Sequence, residues 1–251
     1  MRLEIKNLHF GYTAAREIVK GVSFQAQAGE CIAVLGINGV GKSTMLKCIN
    51  RIIRPTSGEI WVDGIPVSSM SGNVLAQHIG YVPQGCEFSD GSVFDAVLLG
   101  RKPFIKWDVT QKDLEIVQNV LRIMELESYA DRNVNALSGG EKQKISIARA
   151  LAQQTPILLF DEPTSNLDIK NQIAVLDIAK RIVRQHNLTA VVVIHDLNMA
   201  LRFADKFLIL KDGEVYSFGD YTVVNPMTIK DVYGVEVDVI KHGCHQVVIP
   251  K

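Results

Sequence analysis

The stretch that most constrains this chain is Gly36-Ile37-Asn38-Gly39-Val40-Gly41-Lys42-Ser43, which fits the P-loop pattern GxxxxGK[ST]. Cys31–Leu35 precedes it as an unbroken apolar run, the reading expected of a parallel strand buried on both faces. Residues 42–50 follow, with Met45, Leu46 and Ile49 at helical spacing. Glycines let successive backbone N–H groups curl around phosphate oxygens with no Cβ in the way. The new helix adds the positive end of its dipole. On this reading Gly36, Asn38, Gly39 and Gly41 form a phosphate cradle. Lys42 reaches the β- and γ-phosphates, Ser43 ligates Mg²⁺, and Thr44 donates to the α-phosphate.

The rest of the chain reads as an α/β core interrupted by helices. Alternation over Leu3–Phe10 and Ile18–Gln25 predicts two antiparallel strands joined through 13–16. Residues 54–58 read as a loop and Glu59–Val62 as a strand closed by the turn Asp63-Gly64. Ile79–Pro83 is another short strand. From Ser92 to Ala152 apolar residues recur at helical spacing with no convincing strand between them. The core resumes with the strand Ile157–Phe160, a helix over Ile169–Val183, the strand Ala190–Ile194 and a hairpin over Phe207–Tyr216. A single domain is expected over 1–251, with the core in 1–86 and 154–251 and a helical subdomain inserted at 87–153.

A P-loop alone does not choose among nucleotide-hydrolysing enzymes. The Asn-Lys pair of the usual guanine-reading motif is absent. Ile157-Leu158-Leu159-Phe160-Asp161-Glu162 delivers two adjacent carboxylates at the end of an apolar strand, where open α/β sheets place ligand chemistry. Asp161 is expected to hold Mg²⁺ through water, and Glu162 to act as general base on the attacking water.

Leu137-Ser138-Gly139-Gly140-Glu141 and its spacing before the Asp-Glu strand resemble the signature of ABC ATPases, and the resemblance extends over the whole chain. It implies a P-loop, RecA-like core with an N-terminal antiparallel β subdomain and an inserted helical subdomain. Tyr81-Val82-Pro83-Gln84 resembles the Q-loop, Ser165-Asn166-Leu167-Asp168 the D-loop, and His195 the switch histidine. Tyr12 resembles the aromatic that stacks on adenine. The resemblance adds Gln84 and His195 to Glu162 and Lys42 as catalytic groups, and Gln84 to Ser43 and Asp161 around Mg²⁺. Ser138, Gly139 and Gly140 would bind the γ-phosphate of ATP held by a second copy, with Asp168 at the same interface. Glu141 stands where Gln is usual.

Ser92–Arg101 and His195–Asp205 are similar to importers of iron–siderophore, haem and cobalamin chelates. That likeness implies an ATPase on the cytoplasmic face of the membrane. Permease subunits would contact the Gln84–Arg101 region, where Phe88, Val93, Phe94 and Leu98 are either helical core or contact residues. An extracytoplasmic binding protein would be coupled indirectly. The alternatives are a zinc or manganese importer, or a soluble ABC ATPase of the iron–sulfur assembly type.

Lysine plus arginine and aspartate plus glutamate both number 27, so the chain lacks the basic footprint of a nucleic-acid binder. No apolar run approaches the roughly 20 residues of a membrane-spanning helix. The 4 cysteines share no CxxC pair, which suits reduced thiols. His242-Gly243-Cys244-His245 reads as a hairpin turn rather than a metal site.

Overall fold

The computed structural model of the chain describes residues 1–13, 16–85, 87–165, 167–243 and 245–251, with the backbone alone for His245. The expected N-terminal pair is β1, Leu3–Thr13, and β2, Arg16–Ala26, antiparallel in register from Leu3↔Ala26 to Thr13↔Arg16. Residues 14–15 of their connection lie outside the described residues. β3, Cys31–Leu35, leads through the glycine-rich loop into α1, Lys42–Ile49. β4, Ser57–Val62, then pairs antiparallel with β1. It begins two positions earlier than the alternation suggests, with Gly58 at φ +94 inside it. A Cβ on Gly58 would lie 2.3 Å from the Asn7 carbonyl oxygen. Only glycine lets the two strands close there.

β5, Ile65–Pro66, continues this sheet, whose order is β2-β1-β4-β5. α2, Gly72–His78, is N-capped by Ser71 and runs into β6, Ile79–Val82. The helices follow as α3, Val93–Leu98, α4, Gln111–Ile123, and α5, Gly139–Ala152. Each opens on a capping box: Ser92 with Asp95, Thr110 with Asp113, Ser138 with Glu141. The chain then gives β7, Ile157–Asp161, α6, Ile169–Gln185, β8, Thr189–Val193, and α7, Leu197–Phe203. It ends with β9, Lys206–Lys211, β10, Glu214–Gly219, α8, Pro226–Tyr233, β11, Val237–His242, and β12, His245–Pro250.

The larger sheet has the order β10-β9-β3-β8-β7-β6 and is parallel except for the β9–β10 hairpin. Its central strands are apolar throughout because both faces are covered. Ile32, Val34, Ile157, Leu159, Val191 and Val193 pack with α1 and the antiparallel sheet. Ala33, Leu35, Leu158, Phe160, Ala190 and Val192 pack with α3 to α6 and α8. The alternation of strand side chains therefore divides the interior into two cores with the sheet between them.

Two residues of the Gln84–Arg101 region are fixed inside here. Val93 is fully buried, so of its two readings the helical core holds. Arg101 is buried too, with its Nε 2.9 Å from Asp113 Oδ1 and its Nη1 donating to the Ala152 carbonyl at 2.8 Å. The pair ties the end of the α3 segment to α4 and α5. Phe88, Phe94 and Leu98 are half-buried against the same core. Among the described residues no helix is long and apolar enough to cross a membrane.

Candidate active site

β3, β7 and β8 end side by side, and their C-terminal ends deliver the P-loop, the Asp161-Glu162 pair and His195 to one cleft. Ile18, Asn38, Gly39, Gly41, Lys42, Ser43, Thr44, Gln84, Glu162 and His195 line it. Ile18, on β2, is the lining residue that motif reading did not find, because its apolar side chain fits a strand equally well. Two glycines are fixed by space. A Cβ on Gly36 (φ +140) would lie 2.5 Å from the Leu210 carbonyl oxygen, and one on Gly41 (φ +106) 2.9 Å from that of Ile18.

Lys42 is buried, and its Nζ donates to the carbonyls of Gly36 at 2.7 Å and Ile37 at 2.9 Å. Burial lowers its pKa, opposed by the nearby Glu162 and Asp161 carboxylates. The exposed N–H-rich turn at Asn38 and Gly39 faces the cleft, where a Cβ on Gly39 would touch nothing within 4 Å.

Asp161 is buried and held at both oxygens. Ser43 Oγ donates to Oδ1 at 2.6 Å and the Tyr81 hydroxyl donates to Oδ2 at 3.1 Å. Burial and the neighbouring carboxylate push the Tyr81 phenol well up, so it remains a neutral donor. Tyr81 was legible only as part of the Q-loop stretch; its grip on Asp161 follows from β6 pairing beside β7. A hydroxyl touching a carboxylate, with the Gln84 amide across the cleft, is an all-oxygen donor set that fits Mg²⁺ sharing its other positions with phosphate and water.

Glu162 is the first residue past β7 and has a left-handed φ of 51. Its carboxylate is also held twice: Gln84 Nε2 donates to Oε2 at 2.6 Å, and His195 Nε2 lies 2.5 Å from Oε1. Ser165 steadies the turn by donating its N–H at 3.1 Å and its hydroxyl at 3.0 Å to the Glu162 carbonyl. Gln84 and His195, far apart in sequence, therefore meet on one carboxylate at the mouth of the glycine-rich loop.

The remaining expected residues are not in this cleft. Ser138 caps α5, where its N–H and hydroxyl donate to Glu141 Oε2 at 2.8 and 2.6 Å. Those bonds hold the Glu141 carboxyl below its ordinary range. Glu141 is thus half of a capping box, a role that Glu and Gln both fill. Gly139 is exposed, with room for a Cβ, and Gly140 faces Leu167 and Asn171. Asp168 caps α6 by accepting the Asn171 N–H at 2.8 Å. Asn166 lies outside the described residues. Tyr12 is 63% exposed and meets Phe10 edge-on at 5.0 Å, leaving ring surface free. His242 and His245 close the β11–β12 hairpin, while Cys244 and the His245 side chain lie outside the described residues.

Residues 19–165 match the family described as ABC transporter. An ABC transporter ATP-binding protein of Methanocaldococcus jannaschii is 48% identical over 100% of this chain and 98% of its own length. A petrobactin import ATP-binding protein of Bacillus anthracis is 37% identical over 94% of this chain and 88% of its own. A chain of an inward-facing ABC transporter described as metal-chelate type superposes with a TM-score of 0.85 at 30% identity, covering 100% of this chain and 96% of that one. With the cradle, the paired carboxylates and the signature helix in the arrangement described, this chain belongs to the ABC transporter ATP-binding family and is an ATPase.

Proposed function

We propose that this chain powers an importer of metal chelates of the iron–siderophore, haem or cobalamin class, from the cytoplasmic face of the membrane. The observation that carries the hydrolytic half is the Glu162 carboxylate, held by Gln84 and His195 at the mouth of the cradle. In this reading Glu162 takes the proton of the attacking water and His195 orients that water and the γ-phosphate. Lys42 leaves the Gly36 and Ile37 carbonyls for the phosphates, and Thr44 donates to the α-phosphate. Ser43, Asp161 and Gln84 hold Mg²⁺, which when bound neutralises phosphate charge. The free face of Tyr12 takes the adenine.

The signature completes the site from outside. Ser138, Gly139 and Gly140 open α5 on a surface separate from the cleft, so their anion-binding N–H groups serve nucleotide on a second copy. Asp168 lies near them, since Gly140 packs on Leu167 of the same loop. Two copies closing over two nucleotides would draw on permease subunits. The segment 87–153 acts as the helical subdomain that moves with the signature. Arg101 and Val93 being buried, the permease surface falls to their exposed neighbours, such as Leu99, which is 55% exposed. The import and chelate readings draw support from the petrobactin and metal-chelate relatives.

Co-purification from the native membrane tests this reading. Recovery of a multi-span permease, with ATPase activity stimulated by its chelate-loaded binding protein, is the expected result. Recovery with a soluble iron–sulfur scaffold, and no permease, would contradict it.

A further inference from the structure

One contact to the cradle comes from the far end of the chain. Gly36 follows the last ladder pair between β3 and β9, Leu35↔Ile209, and among the described residues its N–H meets no backbone acceptor. That N–H instead donates to the hydroxyl of Tyr233, 197 positions away, at 2.8 Å. Tyr233 is the last residue of α8, which is capped by Asn225, starts on Pro226 and stops at Gly234 in the left-handed conformation. Ile229 and Val232 bury one face of α8 in the larger core, so the phenol is presented by a helix anchored independently of the P-loop.

Gly36 is where the cradle is most in need of restraint. It is the hinge between a rigid strand and a loop, and glycine has the widest backbone freedom. Its carbonyl accepts from Lys42, and its Cα lies against Leu210, with no room for a side chain. The Lys42 bond must be given up to nucleotide, which leaves the Tyr233 bond as the polar restraint that persists through binding. We propose that Tyr233 is a positioning residue for ATP binding: its hydroxyl fixes the first peptide of the P-loop and keeps the empty cradle in its nucleotide-ready shape. Burial pushes the phenol up to about 12, so the group acts as a neutral hydroxyl across the working pH range. A preorganised cradle raises affinity by reducing the ordering that binding requires. The chemistry of hydrolysis, which lies at Glu162, is left alone.

The test is a split between KM and kcat. Tyr233→Phe keeps the ring and deletes the hydroxyl. The expected result is a rise of about fivefold in KM for MgATP and in the dissociation constant of a fluorescent ATP analogue, the size of one net hydrogen bond. The value of kcat at saturating ATP should stay within about twofold. Asn198→Ala is the control, because it loosens the C-terminal segment at a different attachment, where Asn198 exchanges bonds of 3.2 and 2.8 Å with the Val248 backbone. It should leave KM for ATP unchanged. An unchanged KM in Tyr233→Phe, or the same rise in both variants, overturns the proposal. Hydrogen exchange of the unaltered chain gives a reading with no substitution: a protected Gly36 amide is expected, and exchange at the rate of an open loop amide overturns it.

Discussion

At the scale of single residues, the site is built from groups in costly conformations that their neighbours hold in place. Glu162 has φ +51, which a non-glycine side chain adopts at a cost of order 1 kcal/mol or more, and the two Ser165 bonds to its carbonyl offset that cost. The carboxylate lines the same cleft as the P-loop, just past the end of β7. Gly36 is the sharper case, since both its φ of +140 and the Leu210 carbonyl exclude a side chain. Gly36→Ala is expected to lower stability by about 2 kcal/mol or more and to abolish detectable ATP binding, as read by thermal melting and nucleotide titration. Lys42→Ala should fold normally yet bind ATP at least tenfold more weakly by the same titration. Equal affinity would remove Lys42 from the cradle.

At the scale of elements, the three capping boxes and the Arg101–Asp113 pair explain how short helices hold a fixed arrangement. Asp113 serves twice, as the capping-box partner of Thr110 and as the counter-ion of Arg101. The Thr110 hydroxyl bond first, and then the Arg101 bond, hold its carboxyl below the ordinary range against the opposing effect of burial. A depressed folded pKa means that the folded chain binds fewer protons than the unfolded one. The stabilisation is therefore complete above the unfolded pKa, near 4, and is lost as pH falls through the folded value. Asp113→Asn should destabilise the chain by about 3 kcal/mol at neutral pH, because Arg101 stays buried without its counter-charge. Acid-denaturation midpoints by circular dichroism would show the variant less pH-sensitive below 4; identical curves would contradict this role.

The same elements show what sequence makes legible. β3, β7 and β8 stood out because two-sided burial leaves them wholly apolar, and the P-loop stood out because phosphate binding restricts residue type at each position. α2, α7 and α8 did not: a helix of 7 or 8 residues shows few turns, and these, unlike α1 behind the P-loop, follow no motif that announces a helix. The early start of β4 depended on Gly58 closing against β1, and glycine in a sequence signals a turn as readily as a close approach. Ile18 in the cleft and the bonds from Tyr81 and Tyr233 are tertiary facts with no local pattern. The Ser92–Arg101 stretch does not itself show which of its residues face outward: the burial of Arg101 depends on Asp113, 12 positions on, which meets its guanidinium.

At the scale of the whole molecule, the two motifs of the proposed site lie on different surfaces of the chain. The cleft at the ends of β3, β7 and β8 holds the residues proposed to grip and attack, and the start of α5 holds a Ser-Gly-Gly turn that is not part of that cleft. In the proposed function a head-to-tail pair would unite them. Ser138→Arg should leave ATP affinity at the cleft unchanged but lower the ATPase rate at least a hundredfold, since an arginine fills the place of the partner's phosphate and removes the cap. An unchanged rate would show that the signature does not act on a second copy. The central claim, that Glu162 activates water in a site completed by dimer closure, is tested most directly by Glu162→Gln in MgATP, measuring steady-state phosphate release together with mass by light scattering. The account predicts a loss of turnover of at least a hundredfold, retained ATP binding and a shift from monomer to a stable nucleotide-bound dimer. Turnover near that of the unaltered chain, with no dimer formed, would contradict it.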